Sequence, residues 1–333
     1  MNKKLTVGII GAGRIGKVHA ASIMNFIPEA QIKYISDPWE GAKEWVDSLN
    51  GPIYTANTTD IFKDKEVEAV LICSSTDTHV KYIIEAANAK KHIFCEKPID
   101  HDISRIQAAV AAVEENGVKF QIGFNRRFDN NFKAVKKAIV DGSIGDVRFV
   151  NITSRDPGAP SVEYIKVSGG IFMDMTIHDF DMARFLAGSE VEEVYTKAAV
   201  MVDPEIGKAG DYDSAAIVLT FKNGAIGIIN NCREASYGYD QRVEVFGSKG
   251  MVNITNNLHS RAVISTKDGV TGEKPLDFFM DRYTQSYADE VKEFINAIVN
   301  NGELTTCVAD GLKSVEIAKA ATESAKTGVP VKL

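Results

Sequence analysis

Up to about residue 140 the chain alternates short apolar runs with longer segments whose apolar positions recur at helical spacing. Leu5 to Ile10, Gln31 to Ser36, Ala69 to Ser74, His92 to Glu96 and Lys119 to Gly123 read as strands. Helices are expected over Lys17 to Asn25 and from His79, Ile103 and Asn130. Strands alternating with helices predict an α/β protein with a doubly wound parallel sheet, on which ligands bind beyond the carboxyl ends of the strands. After about Asp146 the pattern changes to longer runs with turn signals: Val147 to Arg155, Val191 to Val202, Ala215 to Phe221, Gly224 to Cys232 and Gln241 to Phe246. These predict a second, α+β domain with a large, mostly antiparallel sheet. Tyr287 to Val299 and Ala309 to Lys326 read as closing helices. With 333 residues, more than one core usually serves, the expected division is 1–123 and 124–333.

The first strand runs into Gly11-Ala12-Gly13-Arg14-Ile15-Gly16 and then a helix. In that context Gly11 makes a tight turn, Gly13 lets the backbone approach a pyrophosphate, and Gly16 allows close helix–strand packing. The phosphates would sit on the helix N-terminus beside Arg14 and Ile15. Residues 1–123 are thereby expected to be a Rossmann dinucleotide-binding domain. Asp37 ends the second strand, near the spacing at which a carboxylate takes the adenosine ribose hydroxyls. A carboxylate there would oppose the extra phosphate of NADP, and neither Pro38 nor Trp39 offsets it, so NAD is the expected cofactor. Two further strand ends are chemically pointed. Ser74, Ser75, Thr76 and, further on, His79 suit nicotinamide and ribose contacts, although Ser and Thr there also cap helices. Glu96 and Lys97 stand where another apolar strand stops, and a lysine there could bond both ligand and nicotinamide.

Between the first strands of the second domain lies Gly169-Gly170-Ile171-Phe172-Met173-Asp174-Met175-Thr176-Ile177-His178-Asp179-Phe180-Asp181. On one continuous helix Asp174, His178 and Asp181 fall within roughly 60° of each other, flanked on both sides by apolar strips. Such a polar strip suits a helix packed on both sides and open to a pocket. A solvated pair of side chains and a set of metal ligands are the competing readings.

Net charge changes the picture only by exclusion: −7, with no long basic run, argues against nucleic acid or an anionic membrane as partner. No apolar stretch approaches the roughly 18 residues of a membrane span. Cys73, Cys95, Cys232 and Cys307 form no Cys-x-x-Cys pair, and the six histidines show no zinc-ligand spacing. No resident metal and a cytoplasmic setting are therefore expected.

With the glycine turn, Glu96-Lys97-Pro98 and the stretch from Gly169 to Asp181, the sequence resembles the glucose-fructose oxidoreductase / inositol dehydrogenase family along its whole length. Gly123 to Asp129, Ser154 to Pro157, Met175 to Asp181 and Tyr237 to Arg242 point to its inositol-oxidising branch. The resemblance implies NAD-dependent oxidation of myo-inositol to 2-keto-myo-inositol, with Lys97 as the catalytic-site lysine, Asp174 beside the substrate and His178 as general base. Arg127, Asp156 and Tyr237 would line the polyol pocket. It also implies a second domain that binds substrate and assembles the chain as a homo-oligomer, commonly a tetramer. The same chemistry on scyllo-inositol, chiro-inositol or glucose, or a non-catalytic NAD sensor, are the alternatives.

Overall fold

A computed structural model describes residues 4–333. The chain divides into two compact units, one holding residues up to Phe128 together with Gln285–Val315, the other Asp129–Thr284 with Glu316–Leu333. The division differs from two contiguous segments meeting at 123/124 chiefly because residues 285–315 return to the first unit. Their reason is apolar. Val291, Phe294 and Ile295 are fully buried in the same core as Val7, Ile9, Leu71 and Phe94, each such side chain contributing roughly 1.5–3 kcal/mol by leaving water.

The first unit runs β1 (Leu5–Ile10), α1 (Arg14–Phe26), β2 (Ala30–Ser36), α2 (Ala42–Ser48), β3 (Ile53–Thr55), α3 (Thr59–Lys63), β4 (Ala69–Ile72), α4 (Thr76–Asn88), β5 (His92–Glu96), α5 (Ile103–Asn116) and β6 (Phe120–Gly123). The strands form one sheet in the order β3-β2-β1-β4-β5-β6, every neighbouring pair parallel. That is a Rossmann sheet, whose central strands are mostly apolar and buried. β1, β4 and β6 are buried at every position. The short α2, β3 and α3 had no counterpart in the periodicity, because three to seven residues are too few to display one.

The second unit begins with α6 (Asn130–Val140) and β7 (Val147–Arg155), continues through α7 (Val162–Ser168), α8 (Ile171–Asp174) and α9 (Ile177–Ala187), and then β8 (Val191–Ala199), α10 (Pro204–Lys208), β9 (Ser214–Phe221), β10 (Ile226–Cys232), β11 (Asp240–Gly247) and β12 (Met251–Ile254). A hairpin of β13 (Val263–Thr266) and β14 (Gly269–Gly272) follows, and the chain closes with two long helices shared between the units, α11 (Phe279–Val299) and α12 (Val308–Thr327), and with β15 (Val331–Lys332) in the second. Its sheet is ordered β12-β11-β7-β10-β9-β8-β15. Only β7 and β10 pair in parallel; the other pairs are antiparallel. Alternation along the strands makes the two faces unlike. Ile217, Leu219, Ile229, Val243 and Val245 are buried on one, whereas Phe149, Val218, Ile228 and Phe246 on the other remain about 40% exposed.

Asp129 ties this unit together. Its carboxylate caps α6 by accepting from the Asn131 and Phe132 N–H groups at 3.0 and 3.3 Å, and it receives two bonds from the buried guanidinium of Arg282. Removing one partner of a buried pair strands the other charge. Asp129→Ala is predicted to destabilise the fold by about 3–5 kcal/mol, measured as a lowered midpoint of chemical denaturation.

Candidate active site

In the first unit the crest of the sheet is built by crowding. A Cβ on residue 16 would stand 2.0 Å from the Gly11 carbonyl oxygen, so Gly16 alone lets α1 approach β1 this closely. Gly11 has φ +103°, and a Cβ there would lie 2.6 Å from the Cys73 backbone. Gly13 is the opposite case: among the described residues, no atom lies within 4 Å of where its Cβ would be. This exposed glycine opens α1, whose first turn carries no acidic residue and no side-chain cap. Its N–H groups are left to an anion, as a pyrophosphate requires. Arg14 is exposed and Ile15 half-buried at the start of the same helix. Asp37 follows β2 beside this turn. Its carboxylate accepts from the Ala12 N–H at 2.7 Å and the Trp39 N–H at 2.9 Å, which fixes its oxygens while each retains a lone pair for a ribose hydroxyl. The residues present thus fit a dinucleotide.

The neighbouring strand ends are more mixed. Ser74, Ser75 and Thr76 follow β4 into the start of α4, partly exposed, with the Ser74 hydroxyl 2.7 Å from that of Thr78. His79 is buried, its two ring nitrogens 2.8 Å from the Pro98 carbonyl and 3.0 Å from the Ser74 carbonyl. Burial pushes its pKa down, and the neutral ring, which donates through one nitrogen, lies between the ends of β4 and β5. Glu96 likewise turns inward, its carboxylate 2.7 Å from His19. Lys97 follows it, half-buried, with a cis bond to Pro98.

In the second unit the helix expected from Asp174 to Asp181 is broken. The Thr176 N–H reaches back to the Ile171 carbonyl, five residues away, and α9 starts afresh at Ile177. The break is clamped to the sheet. Asn231 on β10 bonds the Thr176 hydroxyl (2.7 Å), the Asp179 carboxylate (2.8 Å) and the Ser154 carbonyl (3.3 Å), all buried. Asp181 leaves the polar strip: it is 1% exposed and 4.0 Å from Arg184. His178 is half-buried in the first turn of α9. Asp174, at the end of α8, has both oxygens fixed, one accepting from the Tyr164 hydroxyl at 2.9 Å, the other from both terminal nitrogens of Arg233 at 3.2 Å. Arg233 is 2% exposed and also faces Asp156 at 3.4 Å. Asp211 completes the group, accepting from the Ile171 N–H at 3.0 Å; burial, more than any other influence, raises its pKa.

The structure thus joins Asp174 and Asp156 through Arg233, a residue the sequence reading passed over because an arginine after a strand usually reads as a solvated charge. Two expected pocket residues have other partners. Arg127 is buried against the Thr305 carbonyl (3.0 Å) and Asp310 (2.9 Å). The Tyr237 hydroxyl donates to Asp240 and accepts from Arg155. Burial works to raise the Asp240 carboxyl, but bonds from Arg242, Tyr237 and Asn256 outweigh it and hold it below the usual range.

A Rossmann sheet with a glycine cradle and a ribose carboxylate, carried on a chain whose second unit presents carboxylates beside a histidine, defines a dinucleotide-dependent oxidoreductase. The family comparisons agree. Residues 5–124 match the oxidoreductase family with NAD-binding Rossmann fold, and residues 132–253 match the GFO/IDH/MocA C-terminal domain. The chain belongs to this GFO/IDH/MocA oxidoreductase family and uses NAD. Similar proteins include an inositol 2-dehydrogenase of Rhizobium meliloti, 49% identical over 95% of this chain and 96% of that one. A myo-inositol 2-dehydrogenase of Thermotoga maritima is 44% identical over 99% and 98%. The crystal structure of scyllo-inositol dehydrogenase from Lactobacillus casei with bound NAD(H) and scyllo-inositol matches with TM-score 0.92 over 99% of both chains, at 29% identity.

Asp37 should set the cofactor preference. Like charges about 4 Å apart at an effective dielectric near 20 cost roughly 4 kcal/mol. Asp37→Ala is predicted to raise the NADP-to-NAD ratio of kcat/KM by at least about tenfold, read from steady-state kinetics with each cofactor. An unchanged ratio would remove the selecting role.

Proposed function

We propose that this oxidoreductase is an inositol 2-dehydrogenase that converts myo-inositol to 2-keto-myo-inositol. The observation that carries the reading is the Asp174 carboxylate, fixed at both oxygens by Tyr164 and Arg233 four residues before His178. A carboxylate so held can still accept from the neighbouring hydroxyls of a cyclic polyol, and its orientation is set before substrate arrives. The names of the relatives from Rhizobium meliloti and Thermotoga maritima support the same substrate class.

Oxidising a secondary alcohol removes a hydride from carbon and a proton from oxygen. Bound NAD supplies the hydride acceptor. His178 takes the hydroxyl proton, since imidazole is the side chain whose ordinary pKa lies near neutrality. Asp174 orients the polyol and favours the imidazolium that forms. Lys97 hydrogen-bonds the developing alkoxide or the neighbouring hydroxyl and stabilises charge as it appears. Asp156, paired with the same arginine as Asp174, borders the polyol seat.

The second reading keeps this machinery and changes the ring: scyllo-inositol, supported by the name of the Lactobacillus casei structure. Following NADH absorbance with myo-, scyllo- and chiro-inositol and glucose separates them. Myo-inositol is expected to give the highest kcat/KM, and chelator is expected to have no effect. A different best substrate would move the specificity and keep the mechanism, whereas silence across the panel with tight NAD binding would favour a sensor. His178→Ala is expected to lower kcat by about 10² or more with NAD affinity little changed; near-normal turnover would remove His178 from the mechanism.

We further propose that the chain assembles as a homotetramer through the open face of its second sheet. Phe149 and Phe246 lie opposite each other in register there, Phe246 is opposite Met251, and Ile228 is opposite Val218. All are 38–47% exposed, an apolar face that water disfavours. Sedimentation velocity is expected to give four copies, and a monomer would overturn the assignment.

A further inference from the structure

Beneath the crest of the first sheet lies a cluster that the proposed chemistry leaves unused. His19 on α1, Glu96 at the end of β5 and Glu290 on α11 are all buried, and an imidazole nitrogen and two carboxylate oxygens lie within 4.8 Å of one another. His19 Nε2 and Glu96 Oε1 form a hydrogen bond of 2.7 Å. Glu290 is 0% exposed, and among the described residues neither of its carboxylate oxygens has a hydrogen-bond partner. An ionised carboxylate in that position would have neither water nor donor. Burial and the charge of Glu96 are the influences on Glu290, and Phe94 and Tyr287 pack edge-on against the His19 ring at 5.0 and 5.9 Å. Cys73 and Cys95 are buried thiols pushed up by burial and then by the Glu96 charge. Gln121 spends its amide N–H on the Glu290 backbone carbonyl. His79, which also feels the Glu96 charge, lies against the carbonyls of Pro98 and Ser74. Gly123 packs beside the Glu96 carboxylate, so near that a Cβ there would come within 3.1 Å of it.

We propose that Glu290 is held as a neutral carboxylic acid, and that its proton keeps the Glu96 carboxylate seated on His19 and so positions Lys97, the next residue in the chain. The positioning part rests on the role of Lys97 in the function proposed above. Two carboxylates this close in a dry interior do not both ionise, and burial first, then the charge of Glu96, pushes the Glu290 pKa well up. Loss of the Glu290 proton would place a second negative charge against Glu96 and loosen the residue that carries Lys97. Glu290 is a positioning residue in this scheme and touches neither cofactor nor substrate.

The sign of the linkage is definite. A carboxyl whose folded pKa is raised binds a proton that the unfolded chain has released, so its stabilising share is complete below the ordinary carboxylate range and shrinks as pH rises. The test compares the wild-type enzyme with Glu290→Gln, whose carboxamide has the same shape and cannot ionise. Infrared spectra at neutral pH should show a protonated carboxyl C=O band in the wild type that the variant lacks. Between about pH 5 and 8 the wild-type Tm should fall relative to that of the variant. The Kd for NADH should rise at lower pH in the wild type than in the variant, because only the wild type can lose the proton. A missing infrared band or parallel Tm profiles would overturn the neutral acid. Coincident NADH profiles would overturn the link to Lys97. Stoichiometric metal in the purified wild type, lost in the variant, would put a cation in place of the proton and equally overturn it. None of these readouts needs turnover, so failure of the inositol reading would be seen separately, in the substrate panel.

Discussion

The approach of α1 to the crest of the first sheet is the constraint on which the cofactor half depends. Residue 16 packs so near the Gly11 carbonyl that a single added carbon would stand 2.0 Å from it. With the helix pressed this close, its N-terminal N–H groups open directly over the end of β1, at Gly13, where protein atoms leave space. The same turn brings the Ala12 N–H to Asp37, so phosphate seat and ribose acceptor share one piece of backbone. Fixing one fixes the other. The cost is conformational freedom at three glycines, set against the packing of β1 and β4, which are buried at every position.

In the second unit the corresponding constraint is a charge that cannot reach water. Arg233 is almost wholly buried and must be met by carboxylates, so Asp174 and Asp156 are drawn to it. Tyr164 then fixes the remaining oxygen of Asp174. Asp174 and Asp156 together carry one more charge than Arg233 can balance, and Asp211, its pKa raised chiefly by burial, lies against the same group.

Much of this was legible in the sequence because local rules governed it. The strands from Leu5, His92 and Val147, the glycine turn and Asp37 follow from periodicity and spacing, and the structure reproduces them within a residue or two. What escaped depends on distant partners. Residues 285–315 return to the first unit because Phe294 completes a core laid down almost 300 residues earlier. The stripe through Asp174, His178 and Asp181 assumed an unbroken helix, and a residue some fifty positions away, Asn231, secures the break. Arg127, His79 and Glu96 each looked ready for a ligand, yet each has a protein partner that only the tertiary fold brings near. The identity of a polar side chain announces a capacity to bond, and the fold decides with what.

Asn231 and Arg233 lie one residue apart around the end of β10, whose parallel pairing with β7 sits inside the sheet. The turn that presents His178 and the guanidinium that orients Asp174 are thus anchored to an interior strand, paired on both sides. The loop after β7, from residue 156 to the start of α7, carries only Asp156 toward Arg233 and is otherwise largely exposed. A change of length or sequence in that loop would therefore leave untouched the strand that anchors the Thr176 turn and Arg233.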